Sequence, residues 1–424
     1  MINQKNGTTK LSALHISLND DFGVAVPIEA VDREQYVKAE VTVRGTGDTD
    51  DTKIASLPAE FIGYGCGSWN ADPPKRNYGI KFREKQSLFQ SPRSREWSLI
   101  ACVWNNKDWA MLKSDSAYVL TRKVFRNLEY AARTQAVELY INGQYHGVYT
   151  LSERVLVEKG RVNIISNHGV LDTGYLLNYV WDGHIDRIPE LACFKVENFK
   201  KSPPGLRGQN TDAGNFVIES PRVDDIGKKH NATAAGYAAQ VSFIEAKTQK
   251  LTGALAALDY KRLQEIADIP SFVDNLIVQE LYKNADYGSG GCYLYRKPGF
   301  EGGKFYAGPP WDFDWTVNGE PDGWFVTVGD YCPCPFATYS YAIPEFKEAV
   351  IQRWQAVSDE VKKFLKEFFG QYFDDPGYKN IFGRNFEYWD NREKEQAANS
   401  WLVDTENLRD WLLSRAEWFD EQWR

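Results

Sequence analysis

The segment Pro309-Pro310-Trp311-Asp312-Phe313-Asp314 is apolar except for two acids two residues apart. On an extended segment, residues i and i+2 face the same side. Two carboxylates on one side of an apolar wall repel each other unless a proton or a cation intervenes. Oxygen-ligated Mg2+ or Mn2+ meets that need, which makes Asp312 and Asp314 candidate metal ligands. Asp286 closes a helical stretch and is a candidate catalytic group, as a base or as the group that orients a hydroxyl. The plainer reading of each acid is a turn cap. A third reading, glycoside hydrolysis, needs two of these carboxyls about 5–9.5 Å apart.

Upstream, Gly63, Gly65 and Gly67 alternate in a turn between strand-like stretches. Glycines let backbone amides approach a phosphate with no Cβ in the way, although an ordinary turn uses them equally well. Lys75 and Lys81 follow, the second within Tyr78-Gly79-Ile80-Lys81-Phe82. A lysine there can pair with phosphates, or it can simply be solvated on a strand face. Glu153 ends Tyr149-Thr150-Leu151-Ser152-Glu153 and is either the ion-pair partner of such a lysine or an exposed strand end.

The elements that must position these residues are legible in outline. Ala39–Val43 alternates polar and apolar, as a half-buried strand does. The spacing of Val119, Leu120, Val124, Leu128 and Ala131 predicts a helix over 114–134, with Ser114 or Asp115 as N-cap. Asn142-Gly143 between two alternating runs predicts a hairpin. Further strands are expected at 174–177, 215–219, 292–296 and 304–307, with Lys200–Gly205 as loop. Helices are expected over 233–257, from 269 to 281, and through most of 343–424. The outline is an α+β chain: a strand-rich lobe over 1–230 and a helix-rich lobe over 231–424 that carries Asp286 and the Trp-Asp-Phe-Asp segment.

These residues also carry a resemblance. Pro74-Lys75-Arg76 before the Lys81-Phe82 strand, Trp97-Ser98-Leu99-Ile100, the Asn142-Gly143 hairpin running to Glu153, and Gly308–Asp314 together resemble the CotH kinase-like family. So does Gln279–Asp286 before Tyr293-Leu294-Tyr295. The resemblance implies an atypical protein-kinase-like, two-lobed fold that moves phosphate from ATP, with Mg2+ or Mn2+, to a protein hydroxyl. It assigns Asp286 to the catalytic-loop position and Asp312 to the metal. The lysine region of Lys75 or Lys81 goes to the phosphates, and Glu153 becomes the acidic partner. The chain departs from the family at two places. Where the family's glycine turn reads Arg-Gly-Arg-Gly-Asn-Ser-x-Trp, this chain has Ile62-Gly63-Tyr64-Gly65-Cys66-Gly67-Ser68-Trp69. The Asn five residues after the catalytic Asp in spore-coat members is here Gly291, which has no side chain to ligate a second metal. Those losses keep a second expectation open: a catalytically degenerate structural or binding module of a coat, surface or virion.

Composition narrows the partners. The chain has 424 residues and a formal net charge of −8, with no long basic block, which excludes a general nucleic-acid binder. No apolar run is long enough to span a membrane. The first residues lack a signal-peptide pattern, as fits a cytoplasmic chain, an assembled coat or virion component, or an exported chain after signal removal. The six cysteines are scattered, without paired zinc spacing, and reduced thiols are expected. The 14 Trp, 23 Tyr and 23 Phe are expected mainly in a large aromatic core. A protein substrate or assembly partner, and a homo-oligomer, are compatible with all of this.

Overall fold

The structure, a computed structural model, describes residues 11–44, 53–65, 67–70, 75–102, 108–180, 185, 188–196, 199, 214–329, 334–390 and 394–424. Pro74, Cys66 and the 200–205 loop named above lie outside them. The fold is α+β, strand-rich in the N-terminal half and helical in the C-terminal half. Contacts divide the chain into two compact units. The first comprises Met1–Ser116, Ala132–Arg154 and Phe364–Asp410; the second comprises Ala117–Ala131, Val155–Lys363 and Trp411–Arg424.

The first unit holds β1 (Ser12–Asn19), β2 (Val37–Arg44), β3 (Lys53–Gly63), β4 (Tyr78–Gln86), β5 (Ser94–Ile100), β6 (Thr134–Ile141) and β7 (Gln144–Glu153). They close into a barrel in the order β1-β2-β3-β4-β5-β7-β6. Closure was not among the sequence expectations. It depends on the parallel pairing of β1 with β6, in which Leu14 faces Leu139, strands far apart in the chain. Alternation supplies the interior: Leu14, Ile16, Val41, Phe61, Ile80, Phe82, Trp97, Leu99, Leu139 and Leu151 are buried in one core cluster. The β6–β7 hairpin turns at Asn142 (φ 49°) and Gly143 (φ 81°), left-handed at both central residues as a tight two-residue turn demands.

Helix α1 runs over Lys113–Lys123, shorter than the 114–134 its spacing predicts. Beyond it the Asn127 N–H finds a tertiary partner, the Asp274 carboxylate at 3.1 Å. An intrahelical carbonyl has lost that competition, and Leu128 and Ala131 are buried from an irregular segment instead.

The second unit is built on the antiparallel sheet β12-β11-β8-β10-β9. Its strands are β8 (Tyr175–Val180), β9 (Cys193–Lys195), β10 (Asn215–Ser220), β11 (Cys292–Arg296) and β12 (Phe305–Pro310). Its helices are α2 (Ala234–Ala256), α3 (Tyr260–Ile266), α4 (Ile269–Leu281) and α5 (Pro335–Ala342); of α6 (Pro344–Phe373), α7 (Pro376–Asp390) and α8 (Lys394–Gln422), the stretch Phe364–Asp410 belongs to the first unit. Helix α4 starts where the Asp268 carboxylate accepts the Ser271 N–H, with Pro270 in the first turn. Every residue of α4 from Ser271 to Leu281 is buried, and the Ser271 hydroxyl accepts the Ala307 N–H of β12. The aromatic surplus goes largely inside: Trp97, Trp354, Trp401 and Trp423 are among the largest fully buried side chains.

Candidate functional site

Two strand and helix ends in the second unit converge on three acids. Helix α4 stops at Leu281, and Lys283 adopts a left-handed φ of 44°. The Asn284 N–H then bonds back to Gln279 O at 3.1 Å, satisfying one of the helix's terminal carbonyls. The Asn284 side chain organises the turn into Asp286. Its Oδ1 accepts the Asp286 N–H at 3.0 Å, and its Nδ2 donates to Gln279 Oε1 at 2.9 Å and to Asp312 O at 3.0 Å. The Ser289 hydroxyl donates to Asp286 Oδ1 at 3.0 Å.

From the other side, β12 delivers Trp311–Asp314. Trp311 stacks on Tyr118 with ring centroids 5.9 Å apart. Phe313 is wholly buried, edge-on to Tyr118 at 5.8 Å and to Tyr282 at 5.4 Å. The aromatic pair anchors the segment, leaving Asp312 between them half-buried and Asp314 after them buried. Asp312 has φ 64°, so the segment is not the extended strand that its sequence suggests. A left-handed residue, tolerable for Asp, brings the two carboxylates together instead. The Asp312 N–H is accepted by the Tyr118 hydroxyl at 3.1 Å. Burial first, and then the negative charge of Asp312, hold the Tyr118 phenol far above its usual ionisation range, so it stays neutral.

One carboxylate oxygen from each of Asp286, Asp312 and Asp314 lies within 4.8 Å of the others. Asp314 is 4% exposed, whereas Asp286 and Asp312 are half-buried. Three like charges at this spacing, one of them nearly dry, favour a cation among them. An all-oxygen donor set with two solvent-facing members fits Mg2+ or Mn2+, which keep several waters and take few carboxylates. Gly291 lies against the same wall. A Cβ added there would sit 2.8 Å from the Trp311 carbonyl oxygen and 3.6 Å from Asp312 Cβ, so the backbones approach where only glycine fits.

The remaining candidates lie in the first unit. Gly63 ends β3, its N–H donating to Asp32 O at 2.6 Å, and the Trp69 indole occupies the place of its missing Cβ. Gly65 has φ 75°, and Gly67 opens a short 3-10 turn through Asn70. Lys75 is fully buried and donates to Ala101 O at 2.7 Å and Val148 O at 2.6 Å. Lys81 is on the outer face of β4, 3.5 Å from the Glu60 carboxylate and over the Tyr36 ring. Glu153 is fully buried and accepts from the Arg133 N–H at 2.9 Å and its guanidinium at 3.3 Å. Asn284, Gln279, Ser289 and Tyr118 were not singled out from the sequence. Of these only Asn284 carried a local signal, an amide two residues before an acid, the spacing of an Asx turn.

The acid cluster thus sits in an α+β fold and offers carboxylate oxygens alone as donor atoms. The family model described as CotH kinase protein matches residues 66–419, most of the chain, and the chain belongs to that family. No curated protein matches it.

Proposed function

We propose that the chain is a CotH-type, kinase-like phosphotransferase that moves the ATP γ-phosphate to a protein hydroxyl with Mg2+ or Mn2+. The observation that carries this reading is the convergence of Asp286, Asp312 and Asp314 within 4.8 Å. Asp312 and Asp314 hold the cation, which when bound neutralises charge on the phosphoryl oxygens. Asp286 orients the acceptor hydroxyl and takes its proton, with Oδ1 steadied by the Ser289 hydroxyl and the backbone by Asn284. The glycine turn at Gly63, Gly65 and Gly67 receives phosphate oxygens. Lys75 and Glu153 are both buried in the same unit, bonded to backbone carbonyls and to Arg133 respectively. Lys81, engaged with Glu60 on the outer face, has no part in this reading.

The test is phosphoryl transfer from labelled ATP to a serine-rich acceptor protein, with MgCl2 or MnCl2 and with chelator. Metal-dependent labelling that disappears in Asp286→Asn and Asp312→Asn supports the reading. Wild-type protein that neither labels nor gains thermal stability with millimolar ATP and metal refutes it.

Gly291 favours one second reading, a non-catalytic structural or binding module on the same scaffold. Its position cannot accept the asparagine that a second metal would use, because the Trp311 carbonyl stands in the way. A stable assembly that binds no nucleotide would establish that alternative.

A further inference from the structure

The glycine turn lacks the arginines of the family pattern, yet it is not short of positive charge. Arg33, from the segment before β2, donates from Nη1 to Gly65 O at 3.0 Å, and its guanidinium carbon lies 6.0 Å from the Trp69 ring centre. The Arg76 guanidinium lies over the same ring at 4.6 Å. Arg154, at the end of β7, stands over Tyr64 at 4.7 Å and pairs with Glu96 at 3.0 Å. Three guanidiniums from three places in the sequence therefore surround one turn.

Their partners differ. The Glu96 carboxylate offsets Arg154. Asp32, which precedes Arg33, spends its Oδ1 on the Glu34 and Gln35 N–H groups, each at 2.8 Å, and Glu34, which follows it, is exposed. Among the described residues, neither Arg33 nor Arg76 pairs with a carboxylate. Both are half-buried, with the flat indole of Trp69 fixing each head rather than an opposite charge. The indole is itself fixed: its Nε1 donates to Tyr64 O at 3.0 Å and Asn77 O at 3.3 Å. Two preset cations beside a left-handed glycine form a receptor for a multiply charged anion, since each planar fork can bind phosphate through two N–H groups.

The geometry points to Arg33 and Arg76 as a polyphosphate subsite beside Gly65 and Trp69. The subsite rests on the nucleotide reading above and names the side chains that take the phosphates. Arg33 precedes the matched family span, which begins at residue 66, whereas Arg76 lies within it.

The experiment separates the two readings by leaving out metal. Binding of inorganic tripolyphosphate in EDTA is followed by Trp fluorescence and calorimetry in wild type, Arg33→Ala, Arg76→Ala, the double variant and Arg76→Lys. Each alanine should weaken tripolyphosphate binding about tenfold, as the loss of a charge-assisted contact does, with Arg76→Lys in between. The same variants should lose ATP affinity, with a smaller loss for AMP. Thermal melts establish that each variant is folded. If folded variants bind tripolyphosphate and ATP as wild type does, the subsite is overturned while the nucleotide reading stands. If wild type binds tripolyphosphate through these arginines but not ATP, the subsite stands and the nucleotide reading falls. If wild type binds neither, both fall.

Discussion

The Glu280 carboxylate and the Arg415 guanidinium, both fully buried, meet at 2.6 Å. Glu280 also accepts the Phe325 N–H at 2.7 Å and the Thr327 N–H at 2.8 Å, while Arg415 donates to Pro321 O at 2.9 Å and Gly323 O at 2.6 Å. The pair ties the ends of α4 and α8 to the segment just beyond the acid cluster. A buried charge stripped of its partner is costly because neither water nor another ion replaces it. Arg415→Met is therefore expected to destabilise the protein by about 3–5 kcal/mol. Glu280→Gln should cost less, since the amide oxygen can still accept one backbone N–H. Urea denaturation checks both. A change within about 0.5 kcal/mol for Arg415→Met would mean the pair is dispensable.

His146 gives a pH signature. Burial first, and then the positive charge of Lys75, push its imidazole down to about 4 from 6.5. It lies among Tyr78, Tyr149, Tyr388 and Trp389. Because the folded value lies below the unfolded one, the unfolded chain takes up the proton first as the pH falls. Stability is thus complete above about 6.5 and declines on acidification towards about 4, by roughly 3 kcal/mol at most. His146→Gln should flatten that part of the stability–pH curve, measured by denaturation between pH 7 and pH 4.5. Identical slopes for variant and wild type would disprove the assignment.

Gly291 tests whether the missing asparagine can simply be put back. A side chain there meets the Trp311 carbonyl oxygen at 2.8 Å from its first atom, and backbone cannot yield as a flexible side chain can. Gly291→Ala is expected to cost about 1–3 kcal/mol, and Gly291→Asn at least as much, with weaker metal binding because Asp312 is displaced. Thermal melts and Mn2+ titration read the two effects. Gly291→Asn with wild-type stability and tighter Mn2+ binding would show that the wall is softer than its geometry implies.

The range of each interaction decides whether the sequence discloses it. The Asn142-Gly143 hairpin was legible because left-handed φ at two neighbouring residues is a local preference. Asp312 and Asp314 were legible as a pair, but an extended segment is not what brings them together. The segment turns at Asp312, a choice imposed by Trp311 and Phe313 packing on Tyr118, which no local pattern records. Barrel closure rests on the β1–β6 pairing, and the end of α1 on Asp274 capturing the Asn127 N–H. Arg33 and Arg76 meet only because the chain brings two separate segments to one indole. Periodicity reports which face of an element is buried, not which distant residue will face it.

The acid cluster makes the sharpest prediction, because stability with and without metal should respond in opposite senses. Without a cation, three carboxylate oxygens within 4.8 Å repel one another. Removing one charge relieves that repulsion. Asparagine is the substitution to use at position 312, because it tolerates the φ of 64° and keeps an oxygen in place, whereas alanine would add backbone strain. Asp312→Asn should therefore be at least as stable as wild type in EDTA. Added Mn2+ should then stabilise wild type by about 2.7 kcal/mol at a hundredfold excess over Kd, and the variant much less at the same concentration. Asp314→Asn should behave likewise, and more strongly without metal, since its carboxylate is the driest of the three. Thermal melts in EDTA and across a MnCl2 series supply the measurement. An Asp312→Asn variant that keeps the full Mn2+-induced shift would place the cation elsewhere and leave the three acids without the role argued for them.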